Sequence, residues 1–158
     1  FAHDAPEPWQ LVIAGAPHTD NPAIFPPLDP IIDRLQLRDH VLLPGVVTDE
    51  TKVALYQHAG MYMTPSLQEG FGMTALEAMA TGTPVIAANR TSVPEVIGDA
   101  GLLVEPEPLT IAGAMLSLAT NPERARVMRA RGLVRAASFS WEETARQTAS
   151  VYRLAVDR

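Results

Sequence analysis

The sequence predicts an α/β fold, a Rossmann-like parallel sheet flanked by helices, within one domain spanning residues 1–158. Three observations predict it. Five short runs are apolar throughout rather than alternating, as strands covered on both faces are. Segments with helix-start punctuation separate those runs, and strands alternating with helices make βα units. The 158 residues are 47% hydrophobic and 19% charged, with no internal repeat or low-complexity linker. That suits a globular domain large enough to bury a sizeable core.

The first expected strand is Leu11–Ala14. The segment Gly15–Leu28 follows, with prolines at 17, 22, 26 and 27. Loops this long inside compact domains serve a function or are surface insertions. Asp29 before Pro30 reads as an N-cap with Pro at the first helical position, opening a helix to Leu37. The second strand is Val41–Leu43, and Thr48 with Asp49 and Glu50 behind it opens the next helix, through His58. Met61–Thr64 is the third strand, Val85–Ala88 the fourth and Leu102–Val104 the fifth. Ser92-Val-Pro-Glu95 has capping-box spacing. Asn121-Pro122 opens an Arg-rich helix, and Ser140 with Glu143 forms a second capping box. Beyond it Trp141, Ala145, Thr148, Tyr152 and Ala155 fall on one helical face.

Composition excludes several classes. No apolar run approaches the roughly 20 residues a membrane helix needs, and the first ten residues lack the basic and apolar regions of a signal peptide. There is no Cys, so disulfides, thiol catalysis and thiolate metal sites are excluded, and a reducing cytoplasm is permitted. The net charge of −6 argues against a nucleic-acid partner. Five arginines between Arg124 and Arg135 read as a solvated helix face before they read as an anion site.

The stretch "EGFGMTALEAMA", Glu69–Ala80, carries the chemistry. It leaves the third strand and enters a helix, the place where open parallel sheets bind ligands. Gly70 and Gly72 let the backbone turn sharply beside a ligand. The free N–H groups near Phe71, Gly72, Met73 and Thr74, with a helix beginning at Phe71 behind them, make an anion site that suits a diphosphate. A carboxylate beside an anion is repelled, so Glu69 makes sense facing an uncharged, hydroxyl-rich part of the ligand. Glu77, one turn beyond Met73, sits among Ala75, Leu76, Ala78 and Met79. A buried acid needs partners, and a ribose diol supplies two donors. Sugar, diphosphate and ribose in a row describe a nucleotide sugar. Either acid alone reads as a loop or surface acid; the assignment rests on the composite.

That composite, "PSLQEGFGMTALEAMATGTPV" from Pro65 to Val85, resembles the signature of the retaining, family-4 (group 1) glycosyltransferases of the two-domain GT-B fold. The resemblance continues through "SVPEVIGDAGLLVEP" and "FSWEETA", and covers most of the chain. It implies a donor-binding C-terminal domain that moves a hexose from a nucleoside diphosphate sugar to an acceptor hydroxyl, without cofactor or tightly held metal. Glu69 then takes the catalytic position, on the donor sugar; the backbone from Gly70 through Phe71 and Gly72 to Met73 reaches sugar hydroxyls. Met73 and Thr74 lie near the diphosphate, Glu77 on the ribose, and Val47 at the base. Similarity to mannosyltransferase-like members leans the donor toward GDP-mannose. A cytoplasmic place is implied, peripheral to the membrane where relatives meet the bilayer through their other domain.

The chain also departs from the family. Where many members read Gly-x-Gly-Pro after the second strand of the domain, this one reads "GAPHTD", and His18 is a polar loop residue or a phosphate neighbour. Members carry a first strand and helix of this domain, an Arg and Lys that clamp the diphosphate, and a whole N-terminal domain. Here the only Lys is Lys52, on a different element. In the doubly wound order 3-2-1-4-5-6 the first strand is central, and without it two sheet edges stand unpaired. A separate or cleaved segment, a neighbouring copy in a homo-oligomer, or a rearranged strand order is expected to substitute. Three rival functions follow. A glycoside hydrolase using Glu69 and Glu77 leaves the anion site without a job. A GT-B phosphorylase or epimerase shares architecture but not chemistry. A non-catalytic nucleotide-sugar-binding fragment would bind nucleotide without turnover.

Overall fold

The computed structural model describes residues 5, 8–16 and 26–156. His18 and most of the proline-rich segment lie outside them. The chain divides into two compact units, Phe1–Leu55 and Tyr56–Arg158.

In the first unit β1 (Leu11–Ala14) pairs in parallel with β2 (Val41–Gly45), Leu11 opposite Val41 and Val12 opposite Leu42. The helix between them, α1, runs Leu28–Arg34. Its N-cap is Pro27 rather than the expected Asp29, and no side chain caps it. Asp29 lies one position inside, with its carboxylate 2.6 Å from the Arg38 guanidinium. Asp33 joins the same guanidinium, so the acid expected to cap the helix instead staples its two ends to the turn at Arg38–His40. Thr48 does cap α2 (Asp49–His58), its Oγ1 accepting from Thr51 N at 3.2 Å. The two strands are not buried as their apolar runs predict: Leu11 is 41% and Leu42 47% exposed. Apolar continuity records what a strand is built to meet, and among the described residues only β2 pairs with β1.

The second unit holds a three-stranded parallel sheet in the order β3 (Tyr62–Thr64), β4 (Val85–Ala88), β5 (Leu102–Val104). β4 is central and wholly buried. Its pleat divides the core. Val85 and Ala87 face a cluster with Tyr56, Ala75, Met79, Val93, Val96 and Ile97; Ile86 meets Leu118 and Met128. The first face is covered by α3 (Met73–Ala80) and α4 (Val93–Ile97), the second by α5 (Pro108–Ala119). α6 (Pro122–Ala136) packs against both α3 and α5. α5 was not expected: its mostly apolar sequence lacks a Ser, Thr, Asp or Asn at its start, where Glu107 and Pro108 stand. α6 and α7 (Trp141–Val156) begin where predicted, Asn121 and Ser140 each accepting a backbone N–H.

Within each unit the strands that pair are neighbours in sequence, β1 with β2 in the first and β3-β4-β5 in the second. Of the five arginines of α6, Arg124, Arg126 and Arg131 are exposed as a solvated face, and Arg129 and Arg135 are half-buried. Arg129 donates to Gly82 O at 3.0 Å and Arg135 to Val96 O at 2.9 Å, and Arg131 reaches Asp99. They satisfy carbonyls left open where helices and turns end. Among the described residues no helix is long and apolar enough to cross a membrane.

The packing is tight at Gly101, where a Cβ would stand 2.7 Å from Ile97 Cγ2 and 2.9 Å from the Val85 carbonyl, which cannot yield. Gly101→Ala should lower stability by about 1–3 kcal/mol in urea titration. Gly113→Ala, on α5 in open space, should raise it by about 0.5–1 kcal/mol.

Candidate active site

Two loops meet at the carboxyl ends of β3 and β4, the position where parallel sheets hold ligands. The first, 65–72, ends in Gly72, whose φ of +99° lies in the left-handed region. Helix α3 therefore starts at Met73, two residues later than the sequence suggests, because no right-handed turn passes through that conformation. Ala75 N and Leu76 N both bond Gly72 O, at 3.1 Å. The N–H groups of Phe71, Gly72, Met73 and Thr74 meet no acceptor among the described residues. No side chain caps the helix. Open donors at the positive end of a helix dipole are an arrangement suited to an anion.

The second loop, after β4, grips the first. Glu69 N donates to Thr91 Oγ1 at 3.2 Å and Ser92 Oγ donates to Glu69 O at 3.0 Å. The Ser92 hydroxyl does not cap its helix, contrary to the capping-box expectation; it is spent on Glu69. Thr91 sits at φ +49°, a left-handed conformation that a β-branched residue adopts at a cost. Holding it there places two successive hydroxyls on the backbone N–H and the carbonyl of one residue, Glu69. Arg90 pairs with Glu105, anchoring the same loop to the end of β5.

Around this frame the structure places the expected residues in two groups. Glu69, Gly70, Phe71, Gly72, Met73, Thr74 and Glu77 fall together on the loop and first turns of α3. Phe71 is 42% exposed, its ring edge-on to Phe139 with centroids 5.9 Å apart. That contact joins the Gly-rich motif to the "FSWEETA" segment. Glu77 is half-buried, not enclosed, and accepts from the Tyr56 phenol at 3.3 Å on Oε2. Val47 belongs to the first unit, half-buried in the turn between β2 and α2. Among the described residues no three His, Asp or Glu side chains converge as a metal site would require. Sequence reasoning missed Thr91, Ser92 and Tyr56. Ser92 carried a competing helix-start signal, and a Tyr on an apolar helix face reads as core.

Burial pushes the Tyr56 phenol well above its ordinary value, with the neighbouring Tyr62 and Glu77 adding to the shift. Burial raises Tyr62 too, against the hydroxyls of Thr74 and Thr64. Both stay neutral in the folded chain where an unfolded Tyr ionises. Their contribution to stability is complete below the unfolded value and is lost as pH rises toward the folded ones. The urea midpoint should therefore fall above about pH 10, and less steeply in Tyr56→Phe.

Comparison with known proteins places the chain. The family model described as "Glycosyl transferases group 1" matches residues 3–134. O-antigen chain mannosyltransferase B of Escherichia coli is 42% identical over 111 residues, 70% of this chain and 29% of that protein. The MMP alpha-(1->4)-mannosyltransferase of Mycolicibacterium hassiacum is 37% identical over 137 residues, 84% of this chain and 33% of that one. The chain thus spans about a third of the curated relatives it matches. Sucrose-phosphate synthase from Thermosynechococcus elongatus superposes with a TM-score of 0.82 at 30% identity, over 94% of this chain and 39% of that one. Anabaena HepE, solved with UDP and glucose, has the same fold, with a TM-score of 0.84 at 22% identity over 94% of this chain and 41% of that one. With its signature at the mouth of a parallel sheet and a family match over most of its length, the chain belongs to the group 1 glycosyl transferases.

Proposed function

We propose that this chain binds the donor in a hexosyl transfer, a nucleoside diphosphate sugar whose hexose passes to an acceptor hydroxyl with retention of configuration. The observation that carries the reading is the row of open amides from Phe71 to Thr74 at the positive end of α3. As the sugar–diphosphate bond breaks, negative charge grows on the departing oxygens. Donors already fixed in place stabilise that charge without reorganising. Glu69, with its backbone N–H and carbonyl held by Thr91 and Ser92, orients the sugar through its hydroxyls. The backbone from Gly70 to Met73 meets the same sugar, Thr74 the diphosphate and Val47 the base. Glu77 accepts from the ribose hydroxyls. The two acids thus stand on the uncharged flanks of an anion, where they gain hydrogen bonds without facing its charge. No residue is assigned as a nucleophile.

The mannosyltransferase names of the relatives favour mannose as the sugar, and GDP-mannose is the donor we propose. HepE, solved with UDP-glucose, supports the wider class of nucleoside diphosphate sugars. In this reading the acceptor site and the basic pair on the diphosphate come from further polypeptide, in keeping with the chain's third share of its relatives. That polypeptide, or a second copy, also supplies a strand to the free edge of β1. The 158 residues alone then bind donor without turning it over. The transfer runs without a tightly bound metal, in the cytoplasm or at the membrane surface.

Calorimetric titration with GDP, UDP and ADP tests this directly. GDP should bind most tightly, and Glu77→Ala should weaken it roughly 10- to 100-fold, the loss of a charged hydrogen-bond acceptor worth about 1.5–3 kcal/mol. Unchanged affinity in the variant removes the ribose role, and no binding of any of the three removes the reading.

A further inference from the structure

The loop 65–72 carries the candidate catalytic acid but has no backbone ladder to hold it. Among the described residues, no backbone–backbone hydrogen bond involves residues 65–71. What steadies the middle of the loop comes from another part of the chain and converges on one residue. Glu69 N donates to Thr91 Oγ1 at 3.2 Å, and Glu69 O accepts from the Ser92 hydroxyl at 3.0 Å. The N–H belongs to the peptide plane before Glu69 and the carbonyl to the plane after it, and each plane is rigid. Two held planes that meet at one Cα set the direction of its Cα–Cβ bond. The reach of the carboxylate is set with it.

The two residues that do this are themselves tied to the core. Asn89 N donates to Val104 O at 2.8 Å and Arg90 pairs with Glu105, so the second loop leaves β4 fastened to β5. Ser92 O accepts from Glu95 N and Val96 N, which roots Ser92 in α4, where Val93, Val96 and Ile97 are buried. Between these anchors stands Thr91 at φ +49°. Glycine takes that conformation freely but carries no hydroxyl. A β-branched residue kept there at a cost points to its hydroxyl as what the position uses. An acid aimed before the ligand arrives also binds better, since its ordering cost is not charged to binding.

We propose that Thr91 and Ser92 are positioning residues: through the Glu69 backbone they aim its carboxylate at the donor sugar. The sugar half of the ligand is then read through the second loop, and the nucleotide half is not. The inference rests on the reading of Glu69 as the acid facing the sugar, and the test separates the two. GDP with GDP-mannose, and UDP with UDP-glucose, are titrated into the chain by calorimetry. For the tighter-binding pair, the readout is the Kd of the nucleotide divided by that of its sugar nucleotide. Glu69→Gln should lower this ratio about tenfold, as loss of a charged acceptor does. Ser92→Ala and Thr91→Gly should each lower it roughly threefold or more while the nucleotide alone binds as before. Thr91→Ser, which keeps the hydroxyl, should hold the parent ratio. A merely structural role predicts the reverse at position 91, since glycine suits that backbone best. General loosening of the fold weakens both ligands alike and leaves the ratio standing.

A parent ratio in Ser92→Ala or in Thr91→Gly, beside collapse in Glu69→Gln, overturns the role of that residue and leaves the sugar reading intact. A fall in Thr91→Ser as deep as in Thr91→Gly does the same for Thr91. A parent ratio in Glu69→Gln, or no binding of either pair, overturns both readings. Should the two loop variants fail to fold, amide hydrogen exchange in the parent chain decides. The Glu69 amide should be roughly tenfold better protected than those of Gln68 and Gly70, which meet no acceptor among the described residues. It should slow further with the sugar nucleotide but not with the nucleotide. Equal protection of the three, or equal slowing by both ligands, overturns the proposal.

Discussion

Gly72 at φ +99° is the constraint on which the site depends. A left-handed residue there ends the loop from β3 and starts α3 in one step, so the first amides of the helix are left with nothing to bond. A residue with a Cβ has room, its nearest neighbour being Val93 Cγ2 at 3.7 Å, but not the conformation. Everything behind Gly72 then fixes the direction of the helix. Ala75, Ala78 and Met79 are fully buried, and Gly132 of α6 lets that helix approach Met79 closely. Small residues on α3 and one glycine on α6 bring the two helices together, and the close fit prevents the open amides from swinging away.

Among the described residues no Lys or Arg belongs to the loop 65–72 or the first turn of α3. Net charge is −6, and Arg129, Arg131 and Arg135 of α6 are engaged with the carbonyls of Gly82, Asp99 and Val96. In the proposed reading, what faces an anion is backbone: a short row of N–H groups and the helix dipole. This explains why two acids can stand beside it. Amide partial charges fall off quickly, so in the proposed reading carboxylates a few ångströms along meet the hydroxyls of the ligand rather than its phosphates. Thr91 and Ser92 bond the Glu69 backbone, and the Tyr56 phenol donates to the Glu77 side chain.

Much of this was legible in the residues. β1, β4 and β5 lie where their apolar runs put them, because a strand between helices must be apolar throughout and is short. Thr48, Asn121 and Ser140 cap the helices they announce. The Gly-Phe-Gly entry and its acids fall together as their spacing implies. The misses share a cause: a polar side chain near a helix start has more than one place to go. Asp29 went to Arg38 and Ser92 to Glu69, in each case toward a partner distant in sequence. The exposure of β1 and β2 was equally hidden, since an apolar run states a preference for cover and not its presence. Tyr56 was unreadable because only the fold shows what lies opposite its hydroxyl.

The account turns on where a diphosphate settles. Amide resonances of the nitrogen-15-labelled chain, followed by NMR during titration with GDP, report that position residue by residue. The largest shifts should fall on Phe71, Gly72, Met73 and Thr74, with smaller ones at Glu69 and Glu77. Largest shifts instead at the groove lined by Asn121, Arg124 and Arg131 would contradict the account, since the anion would then be answering to side-chain charge rather than to the start of α3.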